Sequence, residues 1–371
     1  MKALGMARWG ALVAVGALAL TGCGSDNATG TSSEGNSGSG NSSVSGTLSG
    51  VGASSQQAAI TAWQSGFSSV ASGANMQYSP DGSGAGRKAL LADAADFAGS
   101  DAHLKEEEYT KSKEVCGPEG AIDVPVYISP IAVAFNIPGV KDLNLDGETI
   151  AKIFKGEIKN WNDEAIKAQN EGVELPDTKI TVVHRSDDSG TTENFTEYLK
   201  AASNGAWDKE PDGNWPGDYS AEANKGTSGV VSTTSSTEGA ITYADASATG
   251  DLGKAKIKSG DGSYAELSAE TAAKTVESSE RVGGMNEHDM SLGLNRTPET
   301  SDSYPIVLVS YHIVCSSYDS QEKVDLVKEF GKYVVSEKGQ QDAADAASSA
   351  PLTASLRDEA TKAYDSITVK K

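Results

Sequence analysis

Two long apolar runs dominate the chain, and neither has the spacing of a helix. Residues 124–136 read VPVYISPIAVAFN and residues 306–315 read IVLVSYHIVC. Continuous β-branched and aromatic residues over such lengths describe strands buried on both faces. Pro130 is expected to divide the first run into two, because it cannot donate to a ladder. Shorter runs at 76–78, 180–184 and 239–243 predict further strands. Between them, apolar residues recur every three or four positions. That period predicts helices at 56–71, 86–93, 147–154, 191–202, 226–234 and 321–336, and one more after Pro351. Strands alternating with helices of this length read as α/β units around a mostly parallel sheet. The Gly-rich and acidic stretches at 204–224 and 252–266 interrupt the pattern and are expected to be solvated loops.

The N-terminus follows another pattern. Lys2 and Arg8 precede the apolar run ALVAVGALAL at 11–20, and small residues lead to Cys23. A basic start, a short apolar stretch and small residues make an export signal over residues 1–22. The run is shorter than the roughly 20 residues a membrane-spanning helix needs. Ending at Cys instead of an A-x-A site, the segment resembles a bacterial lipobox, in which Cys23 is lipidated and becomes the first mature residue. An ordinary signal with an incidental Cys is the alternative. Residues 24–43, GSDNATGTSSEGNSGSGNSS, have almost nothing to bury, so 23–43 is expected to be a flexible tether. Residues 44–371 remain, too many for one small core and enough for two lobes.

Composition narrows the partners. The chain carries 31 Lys and Arg against 52 Asp and Glu, a net charge of −21, and losing Lys2 and Arg8 with the leader makes it more acidic still. Such a surface repels nucleic acid and anionic headgroups, which excludes both as partners and leaves the lipid anchor as the only membrane contact expected. Outside the cytoplasm Cys116 and Cys315 are expected to form one disulfide, two buried free thiols being the alternative.

Four segments share one design, a strand end followed by a turn of Gly, Ser and Thr and then a helix start. They are Ser49 to Ser55 (SGVGASS), Asp81 to Gly86 (DGSGAG), Asp187 to Thr192 (DDSGTT) and Asn224 to Gly229 (NKGTSG). A helix start presents unpaired backbone N–H groups at the positive end of its dipole, and hydroxyls add donors, so each turn can hold an oxyanion. A single such turn is ordinary capping. Four in one exported, acidic chain point to an anion held mainly by neutral dipoles. Arg185 adds one full positive charge with a fork suited to a tetrahedral oxyanion, and Asp187 can orient it. Asp101, in the segment FAGSDA at 97–102, is an acceptor facing an anion, which makes sense only for a ligand that keeps a proton to donate. Hydrogen phosphate keeps one near neutrality and sulfate does not.

Other chemistries lack parts. Residues 142–147, DLNLDG, match the first half of a calcium loop, but Ile153 stands where a bidentate Glu is required, so the segment reads as a turn into the helix at Glu148. His103, His184, His288 and His312 have no paired ligand spacing, and no G-x-S-x-G elbow is present. No metal, cofactor or catalytic residue is expected.

These residues together carry a family resemblance. The chain resembles the PstS family, the phosphate-binding lipoproteins of the bacterial high-affinity phosphate ABC importer, over essentially all of 44–371. The matching pieces are GVGAS at 50–54, DFAGSD at 96–101, FNIPG at 135–139, LDGETI at 145–150, IFKGEIKNWND at 153–163 and RSDDSGTT at 185–192. The resemblance implies an α/β, two-lobed periplasmic-binding-protein-like fold of type II, with the ligand in a cleft between lobes joined by two crossing strands. It implies lobes at 44–128 plus 307–371 and at 129–306, with a hinge near 127–130 and 304–307. It implies phosphate contacts from Ser54, the backbone of Ser55, Ser83, Asp101 as acceptor of the phosphate proton, Arg185 oriented by Asp187, and Ser189, Gly190 and Thr191 at a helix start. The expected protein is a non-enzymatic, lipid-anchored monomer on the outer side of the cell membrane. It hands phosphate to the permease and ATPase subunits of an importer. A secreted phosphatase and a receptor for another oxyanion are the alternatives. Two positions depart from the family pattern. Ser54 and Ser55 stand where Thr and an aromatic are usual, and Asp188 replaces a Gly, placing a negative charge near the anion unless it points to solvent.

Overall fold

The computed structural model describes residues 43–219, 221–283 and 285–371. The leader, Cys23 and the tether up to residue 42 lie outside the described residues. β1 (Ser45–Gly52), α1 (Gln57–Val70), β2 (Gly73–Ser79), α2 (Ser83–Leu91), β3 (Phe97–Ser100) and α3 (Glu106–Cys116) lead to the long strand β4 (Ala121–Phe135). Then come β5 (Asp142–Leu145), α4 (Gly147–Phe154), α5 (Glu164–Lys167), β6 (Thr181–Arg185), α6 (Gly190–Ala202), β7 (Glu222–Asn224), α7 (Gly226–Ser236), β8 (Ala240–Asp245), β9 (Gly253–Lys258) and β10 (Tyr264–Ala265). α8 (Ala269–Glu277), β11 (Glu280–Arg281) and β12 (Leu292–Gly293) precede the returning strand β13 (Val307–Cys315). β14 (Ser317–Tyr318), α9 (Gln321–Val335), α10 (Glu337–Ala347), α11 (Ala354–Asp365) and β15 (Thr368–Val369) close the chain.

The main path of the sheet runs β2-β1-β3-β13-β4-β8-β6-β7, with β9 pairing β4 and carrying β5 and β10. β4 serves two neighbours. Ala121 to Pro130 run antiparallel to β13, and Ile131 to Phe135 run antiparallel to β8. All its residues are buried, which accounts for the unbroken apolar run. Pro130 does not divide it. The missing N–H falls where β4 exchanges β13 for β8, so the ladder loses little, and Ile131 N–H resumes with a bond to Ile306 O (2.7 Å).

The expected mostly parallel sheet is corrected to a mixed one. The flanking pairs β1–β2, β1–β3, β6–β8 and β6–β7 are parallel. The central pairs β3–β13, β13–β4 and β4–β8 are antiparallel, because the chain leaves through β4 and returns through β13 in the opposite sense. The result is the two-lobed α/β architecture with two crossing strands.

The loop expected at 252–266 is also corrected. It contains β9 and β10, where Gly253, Ala255 and Ile257 point inward and Lys254, Lys256 and Lys258 outward. The lysines are the wet face of an alternating strand. In 204–224, Trp207 and Trp215 are buried and pack on each other, while Trp215 also meets Phe154 and Tyr243. The half calcium motif becomes β5 and a cap, with Asp146 accepting from Thr149 N–H (2.8 Å) at the start of α4. Cys116 at the end of α3 and Cys315 at the end of β13 are joined, S–S 2.02 Å. No helix among the described residues is long and apolar enough to cross a membrane.

Candidate functional site

Three of the four Gly, Ser and Thr turns meet at the junction of the lobes by local chemistry the sequence specifies, and the fourth closes over them. α2 begins at Ser83 after Gly82, whose φ of +106° suits glycine, and a Cβ there would lie 2.6 Å from Asp187 Oδ2. α6 begins at Gly190, and its N-cap Ser189 accepts from Thr192 N–H (3.3 Å). A Cβ on Gly190 would sit 2.7 Å from both Asp101 Cβ and Ser83 Oγ. That approach brings the α6 start onto the β3 end and the α2 start. α7 begins at Gly226, and Thr227 reaches across to the first turn. Its Oγ1 lies 3.0 Å from Ser54 Oγ, and its N–H donates to the same Ser54 Oγ (3.0 Å). Ser54, Ser55, Ser83, Asp101, Arg185, Ser189 and Thr191 are all buried.

Asp101 is surrounded by hydroxyls. Ser55 Oγ donates to Oδ1 (2.7 Å) and Oδ2 (2.8 Å), Thr191 Oγ1 donates to Oδ2 (2.9 Å), and Ser310 Oγ donates to Oδ1 (2.6 Å). Asp101 N–H donates to Ser83 Oγ (3.1 Å), and Asn194 Nδ2 donates to Asp101 O (2.7 Å). Among the described residues, no charged side chain is hydrogen-bonded to this carboxyl group.

Arg185, at the end of β6, is held differently. Its Nε and Nη2 donate to Asp187 Oδ1 (2.8 Å) and Oδ2 (2.5 Å). A guanidinium has five N–H groups. Spending the side-on pair on Asp187 leaves the end-on pair, one N–H from each Nη, as a fork for a tetrahedral oxyanion. Asp187 Oδ1 also accepts from Gly226 N–H (3.0 Å). Burial pushes the Asp187 carboxyl up, but the bonds and charge of Arg185, with the Gly226 N–H, outweigh that and hold it below the usual carboxylate range.

Asp188 points neither at the cradle nor simply to solvent. Its carboxylate turns to α2, 3.1 Å from Lys88 Nζ and 4.0 Å from Arg87 Nη2, while Gly84 N–H donates to its main-chain O (3.1 Å). A second ion pair, Lys225 Nζ to Asp81 Oδ1 (2.8 Å), spans the same cleft beside Gly226. The extra negative charge is thereby matched across the cleft.

The structure gathers every predicted anion-contacting residue in this one place and adds some that sequence reasoning passed over. Ser310 is a small polar residue inside a mostly apolar strand, Gln56 precedes α1 and donates to Ser310 Oγ (2.5 Å), and Thr227, in the fourth turn, reaches Ser54. Asp245 ends β8, fully buried, and accepts from Tyr127 OH (3.2 and 3.3 Å) and from Ser247 N–H (3.0 Å). Burial pushes its carboxyl up to about 6 despite the donors around it, with a smaller upward push from the charge of Asp101. The available signal was a small or charged polar residue set in a mostly apolar buried strand, Ser310 in VLVSYHIVC and Asp245 at the end of AITYAD.

Known proteins resemble this chain. The model of the PBP superfamily domain matches residues 37–338. The chain is 40% identical over 325 residues to phosphate-binding protein PstS 3 of Mycobacterium leprae, covering 86% of this chain and 87% of the relative. It is 38% identical over 327 residues to phosphate-binding protein PstS 2 of Mycobacterium tuberculosis, with 86% and 87% covered. Among solved structures, a phosphate-binding protein from Stenotrophomonas maltophilia aligns with TM-score 0.66 at 20% identity, covering 86% of this chain and 94% of that one. A putative phosphate transporter substrate-binding protein from Clostridium perfringens, with phosphate bound, aligns with TM-score 0.59 at 20% identity, covering 81% and 98%. At those identities the two structures speak for the fold.

Proposed function

We infer the function from one premise: the chain belongs to the PstS family of phosphate-binding proteins, within the PBP superfamily. It is an extracytoplasmic receptor that captures inorganic phosphate between two lobes for an ABC importer, and it is not an enzyme. The relatives are binding proteins, and the phosphatase reading gains no support from them. The observation that carries the reading for this chain is the pairing, in one buried cleft, of an end-on Arg185 fork with an acceptor-only Asp101, ringed by helix starts.

In this reading the Arg185 fork and the N–H groups of Gly190 and Thr191 hold phosphate oxygens. The hydroxyls of Ser189, Ser83 and Ser54 and the N–H of Ser55 complete the cradle, and Asp101 accepts the ligand's proton. Asp187 orients Arg185. The lobes are 44–128 with 307–371 and 129–306, and they open about the crossing strands near 127–130 and 304–307. Cys23 carries the lipid that tethers a monomer to the outer face of the membrane, where the permease and ATPase subunits receive its cargo.

The test is calorimetry of residues 44–371, stripped of bound ligand, against phosphate and sulfate near pH 7. One-to-one phosphate binding with sulfate silent is expected. Heat from sulfate or another fully deprotonated oxyanion, with phosphate silent, sinks the assignment of Asp101.

A further inference from the structure

The β13 strand shifts register against β4 between Ser310 and Tyr311, where Ser310 faces Tyr127 and Tyr311 faces Pro125. Such a bulge re-aims a side chain, and the Ser310 hydroxyl lands 2.6 Å from Asp101 Oδ1. Gln56 Nε2 donates to that hydroxyl oxygen (2.5 Å) and to Tyr311 O (3.3 Å). An amide N–H can only donate, so the Ser310 oxygen must accept from Gln56 and its hydrogen must go to Asp101. Gln56 and Ser310 are both completely buried, which removes water as a competing partner.

We propose that Ser310, with its direction set by Gln56, is a positioning residue that gives Asp101 its selectivity for a protonated oxyanion. The proposal rests on the phosphate-receptor reading above. With Ser310 and Ser55 both on Oδ1, that oxygen is occupied, and Oδ2 remains for the ligand. There only Thr191 and the second arm of Ser55 donate, from hydroxyls that can rotate toward a bound anion. An oxygen so placed accepts the proton of hydrogen phosphate and meets only repulsion from sulfate, which has no proton to give. Without Ser310 the carboxyl group is free to turn, Oδ2 is no longer held toward the ligand's proton, and the discrimination between the two anions falls.

The experiment titrates wild type, Ser310→Ala, Ser310→Thr and Gln56→Leu with phosphate and with sulfate, after circular dichroism has established that each is folded. Ser310→Ala is expected to weaken phosphate about tenfold, the equivalent of about 1.4 kcal/mol for one charge-assisted hydrogen bond. It is also expected to narrow the phosphate-to-sulfate ratio by at least about tenfold. Ser310→Thr keeps the hydroxyl and restores both quantities. Gln56→Leu keeps the hydroxyl but frees its rotor, and shifts the ratio the same way by less. A Ser310→Ala ratio equal to wild type overturns the proposal, whatever happens to absolute affinity, because lost packing weakens both anions alike. Wild-type protein silent to phosphate removes the receptor reading, and this inference with it.

Discussion

Asp101 and Arg185 are equally buried, each 3% exposed, yet the two poles of the cleft hold their charges by opposite means. Arg185 is matched at once by Asp187. Among the described residues only hydroxyls donate to the Asp101 carboxyl group, so no cation is hydrogen-bonded to it. One guanidinium and two carboxylates leave the site net negative before any anion enters. Attraction must then come from helix starts and neutral donors, the Arg185 fork supplying direction as much as charge. Under the proposed function this becomes a division of labour, in which one pole binds and the other chooses.

The strongest way to break this comparison is Arg185→Ala. It leaves Asp187 buried without its partner, which costs about 3 kcal/mol or more in folding stability. Phosphate affinity should fall more than about 100-fold. The double variant Arg185→Ala with Asp187→Ala should recover melting temperature without recovering phosphate binding, because the stray charge is gone but the fork is too. Calorimetric affinity within tenfold of wild type in Arg185→Ala denies that this pole binds.

Asp101→Asn tests the other pole. An amide both donates and accepts, so it neither repels a fully deprotonated anion nor requires the ligand's proton. Phosphate should weaken by roughly tenfold to 100-fold and sulfate should become detectable. Competition between the two anions, measured at equilibrium, reads the ratio directly. Sulfate still excluded from Asp101→Asn places the selection elsewhere.

The same contrast predicts pH effects of opposite sign in two further carboxylates. Asp187 is held below its ordinary range by Arg185, so its contribution is present above about pH 4 and is lost as pH falls through its folded value. Asp245, whose donors are neutral and whose environment is dry, rises to about 6 from 3.8. Its folded form binds a proton more tightly than the unfolded chain does. Stability therefore declines as pH rises from about 4 to about 6, by about 3 kcal/mol at most, and is flat above. Urea unfolding of wild type and Asp245→Asn at pH 4 and pH 7 isolates this group. Equal pH dependence in the two proteins is the unfavourable result.

How much of this was legible in the sequence depended on how local the cause was. The start of α6 was readable to within one residue because its Ser189 cap is decided within four residues, and the helix at 147–154 was met to the residue, whereas α2, which has no side-chain cap, begins at Ser83 and not at the expected 86. β1, sequence SGTLSGVG, carries little strand signal of its own and forms because β2 and β3 flank it. The antiparallel centre of the sheet was invisible, since β4 and β13 are about 200 residues apart and read alike whichever way they run. Ser310 was hidden for a similar reason. Its hydroxyl matters only because a bulge in one strand meets a carboxylate from another, a relation no local pattern encodes. Asp188 was visible as a charge but not as a pair, because Lys88 and Arg87 come from the opposite wall.

That pair supplies the smallest predicted effect and the sharpest limit on the comparison. Asp188 to Lys88 and Lys225 to Asp81 span the cleft at its rim, and Lys88 and Lys225 are largely exposed. Exposed pairs contribute at most about 1 kcal/mol and are screened by salt. They exist only while the walls are together, so their energy favours the closed form over the open one. A ligand that binds the closed form inherits that preference as affinity. Asp188→Asn should therefore weaken phosphate by only about twofold to fivefold, chiefly through faster release, with the phosphate-to-sulfate ratio untouched. The deficit should shrink as ionic strength rises from about 0.01 M to 1 M, because the wild type loses the pair's contribution and the variant has none to lose. Stopped-flow dissociation at the two salt concentrations separates the cases. A changed anion ratio in Asp188→Asn means that its charge is felt inside the cradle, and the choice of ligand then no longer belongs to the Asp101 pole alone.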